Sequence, residues 1–201
     1  MIIESRISED AVWAVFLRNE LHEPPYTELS RDEYTLVQAL ACDPDLSDPT
    51  QNRQRKEFLW RRRSPLLDRL PSGVAWYKGC LDDDDLLELR APARCGWEEL
   101  CPGGLLRRLR YPDGVDALSP DLARRAGQRI PALTDYVKRE DFDPELILIC
   151  VGTSGPYTLI DGTHRAAAMF LSSRETGATY VGGPTYIGAS PDMIHCPWYN
   201  P

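Results

Sequence analysis

Residues 145–171 contain the pattern that constrains the fold most strongly, because two apolar runs of strand length lead directly into a helix-forming run. The apolar runs cover residues 145–151 and 157–160, and Gly-Thr-Ser-Gly-Pro at residues 152–156 separates them. Turn-forming residues between two such runs predict a β-hairpin. Residues 166–171, Ala-Ala-Ala-Met-Phe-Leu, predict a helix. The sequence therefore predicts a strand, a glycine and a helix in direct succession.

The segment at this junction, Asp161-Gly162-Thr163-His164-Arg165, combines several groups that suit a phosphate. Backbone N–H groups in the first turn of a helix lack partners within the helix and carry partial positive charge. Gly162 lets a ligand approach the backbone, Thr163 offers a hydroxyl, and Arg165 offers a guanidinium fork. His164 adds an imidazole that ordinarily titrates near neutral pH. A second interpretation stays open, in which the arginine only pairs with a carboxylate and the histidine is a buried core residue.

Residues 1–70 are predicted to form a helical N-terminal extension. A serine can cap a helix over residues 9–21, and a capping box that begins at Ser30 predicts a second helix. A third, basic helix is expected over residues 51–63, after a capping residue and a proline in its first turn. We expect Pro65 to end that helix, because proline lacks the N–H that a helix interior needs.

Residues 71–201 are predicted to form the second domain, in which strands and helices are mixed. Residues 74–77 suit a short first strand, and residues 120–139 predict a helix that breaks near Gly127 and Pro131. Together with the hairpin and the helix after it, these elements predict an α+β fold.

Charge and hydropathy exclude several classes of protein. The 201 residues carry a formal net charge of −8, which repels a phosphate backbone and argues against nucleic acid as a partner. We expect no membrane segment, because no apolar run approaches the roughly 20 residues that span a bilayer. The first residues lack the basic and apolar regions of a secretory signal, so we expect a cytoplasmic protein with reduced cysteines.

Two charged runs and an aromatic tail each have two interpretations. The basic run at residues 53–63 is either a solvated helix face or a surface for an acidic partner or a phosphate-bearing ligand. The four aspartates at residues 82–85 suit the first turn of a helix or a metal or ligand site. Trp198 and Tyr199 either dock on the domain or pack against a substrate or nucleobase.

The hairpin, the Asp161–Arg165 segment, the alanine-rich helix and a strand-like run at residues 185–188 resemble the nucleotide-binding core of the ParB/sulfiredoxin superfamily. In that superfamily a Gly-x-x-Arg box cradles the phosphates of ATP or CTP at a helix N-terminus. The resemblance covers about residues 130–190. It implies a ParB/sulfiredoxin-like fold with the helical extension before it. It also implies that Gly162, Thr163, His164 and Arg165 bind ATP, or another nucleoside triphosphate, with Mg²⁺.

Two departures from the superfamily narrow the implied function. Sulfiredoxins carry a catalytic cysteine immediately before the His-Arg pair, where this chain has Thr163. Chromosome-partitioning ParB proteins have a basic helix-turn-helix region after the nucleotide core, where this sequence has a short tail. The remaining resemblance is to small-molecule kinases such as free-serine kinases. It implies an ATP-dependent phosphotransferase that acts on a small hydroxyl-bearing metabolite. A specialised biosynthetic pathway is one place where such an enzyme would act.

In this interpretation a carboxylate activates the acceptor hydroxyl, and the catalytic candidates are Asp161 and His164. Asp161 also suits a purely structural role, and the sequence does not rank the other nearby carboxylates, at residues 140, 141, 143 and 145. Two alternatives stay open. In the first, the protein is a nucleotide-responsive regulatory or interaction module without small-molecule turnover. In the second, it is a superfamily member that has lost nucleotide binding.

Overall fold

The computed structural model describes residues 1–23, 25–93, 96–137, 144–177 and 183–201. Contacts within the chain divide it into two compact units. The helical unit comprises Arg6–Leu70, and the α+β unit comprises Met1–Ser5 together with Pro71–Pro201. In chain order, the helical unit is therefore an insertion between the first strand of the α+β unit and the rest of that unit.

Local capping signals set the starts of the helices in the helical unit. Its helices are α1 (Glu9–Glu20), α2 (Arg31–Cys42) and α3 (Pro49–Leu67). Ser8 accepts a hydrogen bond from the N–H of Ala11 at 3.2 Å, and Asp48 accepts one from the N–H of Thr50 at 2.7 Å. Ser30 forms a reciprocal capping box with the acidic residue at the third position of α2. All three predicted helices are confirmed.

The basic run at residues 53–63 is used largely inside the helical unit. Arg55 is fully buried and donates hydrogen bonds to two backbone carbonyls, at 3.3 and 3.2 Å. Burial lowers the pKa of its guanidinium. Arg62 lies 2.5 Å from the buried carboxylate of Glu20, and Arg63 pairs with the same carboxylate. These contacts make this part of the run structural.

The α+β unit contains a five-stranded mixed sheet with helices packed on it. Its elements are β1 (Ile2–Ile7), β2 (Ala75–Cys80), α4 (Asp83–Glu88), α5 (Trp97–Leu100), α6 (Pro120–Val137), β3 (Leu146–Cys150), β4 (Thr158–Asp161), α7 (Thr163–Thr176) and β5 (Pro184–Ala189). The strand order is β1-β2-β5-β3-β4. Strand β5 runs antiparallel to β2 and parallel to β3, and β3 and β4 form the predicted antiparallel hairpin. The predicted α+β class is confirmed.

The buried strand β3 organises the core of the α+β unit. All five of its residues are buried, in agreement with its continuous apolar sequence. Helices α6 and α7 pack on each other, and the same apolar cluster joins them to β3. The alanines at the start of α7 are fully buried, which permits close packing of this helix. This packing holds the start of α7 at the end of β4.

Two predicted breaks at prolines are wrong. Helix α6 continues through Gly127 and Pro131, and α3 continues through Pro65. Gly127 and Pro131 lie on the exposed side of α6, while Ile130 between them is fully buried. Water can solvate the carbonyl that the proline leaves without an N–H partner, and burial of the opposite face stabilises the helix.

The prediction that residues 1–70 are helical is wrong at its start, where residues 2–7 form the edge strand β1. The residues of β1 are mostly exposed, so the strand has no buried face to impose an alternating apolar pattern on its sequence. The aspartates at residues 82–85 do start a helix, because Asp82 caps α4 and forms a reciprocal capping box with Asp85. Among the helices of the described residues, none combines the length and apolar character needed to cross a membrane.

Candidate functional site

The junction between β4 and α7 depends on a left-handed glycine. Gly162 follows the last residue of β4 and has a φ of +84°, a conformation that costs L-residues with a side chain about 1–2 kcal/mol. Its carbonyl accepts the first hydrogen bond of α7, from Ala166 at 2.9 Å. The N–H groups of the three residues between them have no helical acceptor. The sharp turn therefore presents the amides of residues 163–165 at the end of the sheet.

Arg165 is held in place from two sides. Its Nη2 donates to Oδ2 of Asp161 at 2.8 Å and to the backbone carbonyl of Glu145 at 3.1 Å. Its Nε is buried and has no hydrogen-bond partner among the described residues. About a fifth of the side chain, 21%, is exposed. The guanidinium is thus fixed against the Gly162 turn and retains hydrogen-bonding capacity that the described protein groups do not use.

Asp161 is a buried carboxylate neutralised by Arg165. Only 9% of its side chain is exposed, and its ion pair spans one turn at positions i and i+4. The structure therefore places Asp161 where it orients the guanidinium. This is the structural role that the sequence left open for it.

His164 is neutral in this structure, in contrast to the expectation that it titrates near neutral pH. Burial lowers the pKa of its imidazole to about 3, and Arg129, Arg125 and Arg165 lower it further, against the opposite effect of Asp161. The ring of Trp97 contacts it edge-on, with a distance of 4.9 Å between ring centroids. Its Nε2 is buried without a hydrogen-bond partner in the described part of the chain. As a neutral group, His164 can offer a hydrogen bond to a ligand but not a positive charge.

Thr163 is the first residue of α7 and is buried, with 8% of its surface exposed. The structure thus brings residues 161–165 together, as their adjacency predicted. Their side-chain environments differ from one another, because Asp161 is paired with Arg165 and His164 is buried as a neutral group. Thr163 contributes its backbone N–H to the turn of the helix.

Of the four carboxylates that the sequence left equivalent, Glu145 is the one that lies within the described residues. Glu145 lies beside the junction, since its carbonyl accepts from Arg165 and its Oε1 accepts from the hydroxyl of Tyr186 at 3.4 Å. Its φ of +24° is unusual for a residue with a side chain. Residues 140, 141 and 143 lie outside the described residues. Glu145 therefore contacts the junction through its backbone carbonyl, while its carboxylate contacts Tyr186 of β5.

Two arginines near the junction were missed by sequence reasoning. Arg125 and Arg129 of α6 act on the imidazole of His164 strongly enough to lower its pKa. Their i, i+4 spacing places them on one helix face, and that spacing is the signal that could have singled them out. Nothing in the sequence indicates which other element this face meets, because that is decided by the packing of α6 on α7.

The tail docks next to β4. The backbone N–H of Asn200 donates to Oγ1 of Thr158 at 3.0 Å, and the Thr158 hydroxyl donates to the carbonyl of Asn200 at 3.1 Å. Tyr199 is buried, and the carbonyl of Trp198 accepts a hydrogen bond from Ala93. The predicted docking of the tail is confirmed, and it fixes the strand that leads into the junction.

A separate cavity lies near the other end of α7. It has a volume of about 210 Å³ and is lined by residues of α4 and of the last turns of α7, including Leu86, Phe170 and Arg174. In the described ranges, no three histidine, cysteine, aspartate or glutamate side chains gather as they would around a metal ion.

The chain matches no family of proteins, no curated protein and no solved structure. Functional assignment therefore depends on the residues and geometry of the β4–α7 junction.

Proposed function

We propose that the β4–α7 junction binds the phosphates of a nucleoside triphosphate and that the protein is an ATP-dependent phosphotransferase of the ParB/sulfiredoxin type. The observation that carries the proposal is a left-handed glycine that starts a buried helix, beside two buried nitrogens, Nε2 of His164 and Nε of Arg165, that lack partners among the described residues. Buried polar nitrogens without partners are uncommon in native proteins, and an anionic ligand with Nε2 of His164 protonated would satisfy both of these.

The residues of the junction would divide the work of binding. The amides of residues 163–165 donate to phosphate oxygens and act together with the helix dipole. Arg165 adds a fixed cation that stabilises charge on the transferred phosphoryl group, and Asp161 holds that cation in position. His164 donates one hydrogen bond from a neutral ring. When bound with the nucleotide, Mg²⁺ would further neutralise the phosphate charge.

Phosphoryl transfer also requires a group that orients the acceptor hydroxyl and takes its proton. Because Asp161 is already paired with Arg165, we assign this role to Glu145. Its carboxylate would accept the proton as the hydroxyl oxygen attacks the γ-phosphorus, and the bond to the nucleoside diphosphate breaks. The acceptor is a small metabolite with a free hydroxyl.

The proposal is tested by titration calorimetry with ATP, CTP and ADP in the presence of Mg²⁺. We expect micromolar binding that falls at least tenfold in Arg165→Lys, which keeps the charge but loses the planar fork. Arg174→Lys is the matched control, because it changes a cation near the far end of the same helix. Thermal unfolding of both variants checks that they fold. A folded native protein that binds none of the three nucleotides overturns the proposal.

Consumption of ATP distinguishes the kinase hypothesis from the alternative of a nucleotide-responsive regulatory module. Phosphorus NMR of ATP with pools of hydroxyl metabolites should show nucleotide consumption that depends on an acceptor and is lost in Glu145→Gln. Tight binding with no acceptor-dependent consumption in any pool would overturn the kinase and favour the nucleotide-responsive module.

A further inference from the structure

The start of α6 lies next to the start of α7. A Cβ built on Gly96 would lie 2.9 Å from Cδ2 of Leu122 in the first turns of α6, and the neighbouring Trp97 contacts the ring of His164. Residues 96 and 97 thus touch both helices at one place. The face of α6 that carries Leu122 is therefore directed toward the first turn of α7.

Arg125 and Arg129 continue this face of α6. They follow Leu122 by three and seven residues, which are the spacings that place side chains on one side of a helix. Arg125 is exposed and Arg129 is half-buried, so ligands can approach both from solvent. Arg165 follows His164 directly in α7, and the charges of all three arginines lower the pKa of that imidazole.

A concentration of arginines at this place contrasts with the charge of the chain. The protein has a net charge of −8, yet three arginines act together on His164, and the effect of Asp161 opposes theirs. The Nε2 of His164 is buried without a hydrogen-bond partner in the described structure. Such an arrangement favours an anion that reaches from the start of α7 toward α6.

We propose that Arg125 and Arg129 form a second phosphate subsite, so that the junction selects a chain of linked phosphates over a single phosphate. This inference rests on the proposed function and deepens it. The amides of α7 and Arg165 bind one phosphate, and the two arginines of α6 bind the next. Packed helices lie about 8–10 Å apart, a span that suits a polyphosphate chain better than one phosphate.

The test compares three probes with Mg²⁺ present, namely inorganic phosphate, inorganic tripolyphosphate and ATP. Calorimetry is performed on the native chain, on the double variant Arg125→Gln with Arg129→Gln, and on Arg124→Gln. Arg124 is the matched control, because it lies on the same helix with the same charge but about 100° away from Arg125 around the axis. Thermal unfolding confirms that each variant is folded.

We expect the double variant to bind tripolyphosphate and ATP at least tenfold more weakly than the native chain. Its affinity for inorganic phosphate should stay within twofold of the native value. Arg124→Gln should change none of the three by more than twofold. Native-like ATP and tripolyphosphate binding in the double variant overturns the second subsite but leaves the proposed function intact. An equal loss of affinity for all three probes also overturns it, because the two arginines would then attract any anion electrostatically without binding a second phosphate. A native chain that binds neither ATP nor tripolyphosphate overturns both proposals.

Discussion

Gly162 is the residue on which the geometry of the junction depends most directly. A Cβ at this position would lie 2.6 Å from Cδ2 of Leu146 and 3.1 Å from Nη2 of Arg165, in addition to the cost of its left-handed φ. We expect Gly162→Ala to lower the free energy of unfolding by about 2–4 kcal/mol, measured by urea denaturation. Gly177→Ala is the matched control, since Gly177 has a similar φ of +64° and nothing within 4 Å of the added atom. Equal losses in the two variants would show that the contacts at Gly162 contribute nothing.

His164 should make stability depend on pH. The unfolded chain binds a proton at this residue near its ordinary pKa of 6.5, whereas the folded chain binds it only near pH 3. Stability therefore decreases as the pH falls between these values, by about 4 kcal/mol for this group. The difference in unfolding free energy between the native chain and His164→Gln should shrink by that amount from pH 7 to pH 3. Exposed His195 provides the control variant, His195→Gln, and a pH-independent difference at His164 would contradict the lowered pKa of its imidazole.

A bound polyphosphate should shift the protonation of His164 in the opposite direction. An anion beside the ring offsets the effects of burial and of the three arginines, so the pKa of His164 rises on binding. Histidine NMR titrations with and without saturating tripolyphosphate measure this change directly. A pKa that does not move would place the anion away from the ring.

Helices α1 and α3 are joined by ion pairs to a buried carboxylate, which should contribute more to the free energy of unfolding than an exposed ion pair does. Glu20 is 2% exposed and pairs with Arg62 and Arg63, whereas Glu9 pairs with Lys56 at 2.9 Å on the surface. We expect Glu20→Gln to destabilise the helical unit by about 3 kcal/mol, because it leaves two cations beside a neutral group. Glu9→Gln should cost less than about 1 kcal/mol by the same denaturation measurement. Similar costs would show that Glu20 is solvated in solution.

The elements that could be predicted from the sequence are those stabilised by neighbours in the chain. The capping boxes, the β3–β4 hairpin and the glycine before α7 all depend on residues within a few positions of one another. The continuation of α6 through Pro131 and the pairing of β1 at the sheet edge depend on contacts distant in sequence. The same distinction applies to the site, where adjacency predicted residues 161–165 but only tertiary packing adds Glu145 and the arginines of α6.

Across the full chain, the helical unit occupies the connection between two neighbouring strands. The carbonyl of Ile2 at the start of β1 lies against Gly79 near the end of β2, so the end of β1 lies beside the start of β2. A two-residue turn can therefore connect the strands directly. We expect a chain in which Asn-Gly replaces residues 8–72 to unfold cooperatively with heat and to bind tripolyphosphate within threefold of the native affinity. A matched chain that starts at residue 73 lacks the edge strand and should melt several degrees lower. If the shortened chain with β1 folds but does not bind, tripolyphosphate binding requires residues 8–72. If it does not fold, the α+β unit requires the insertion for its stability.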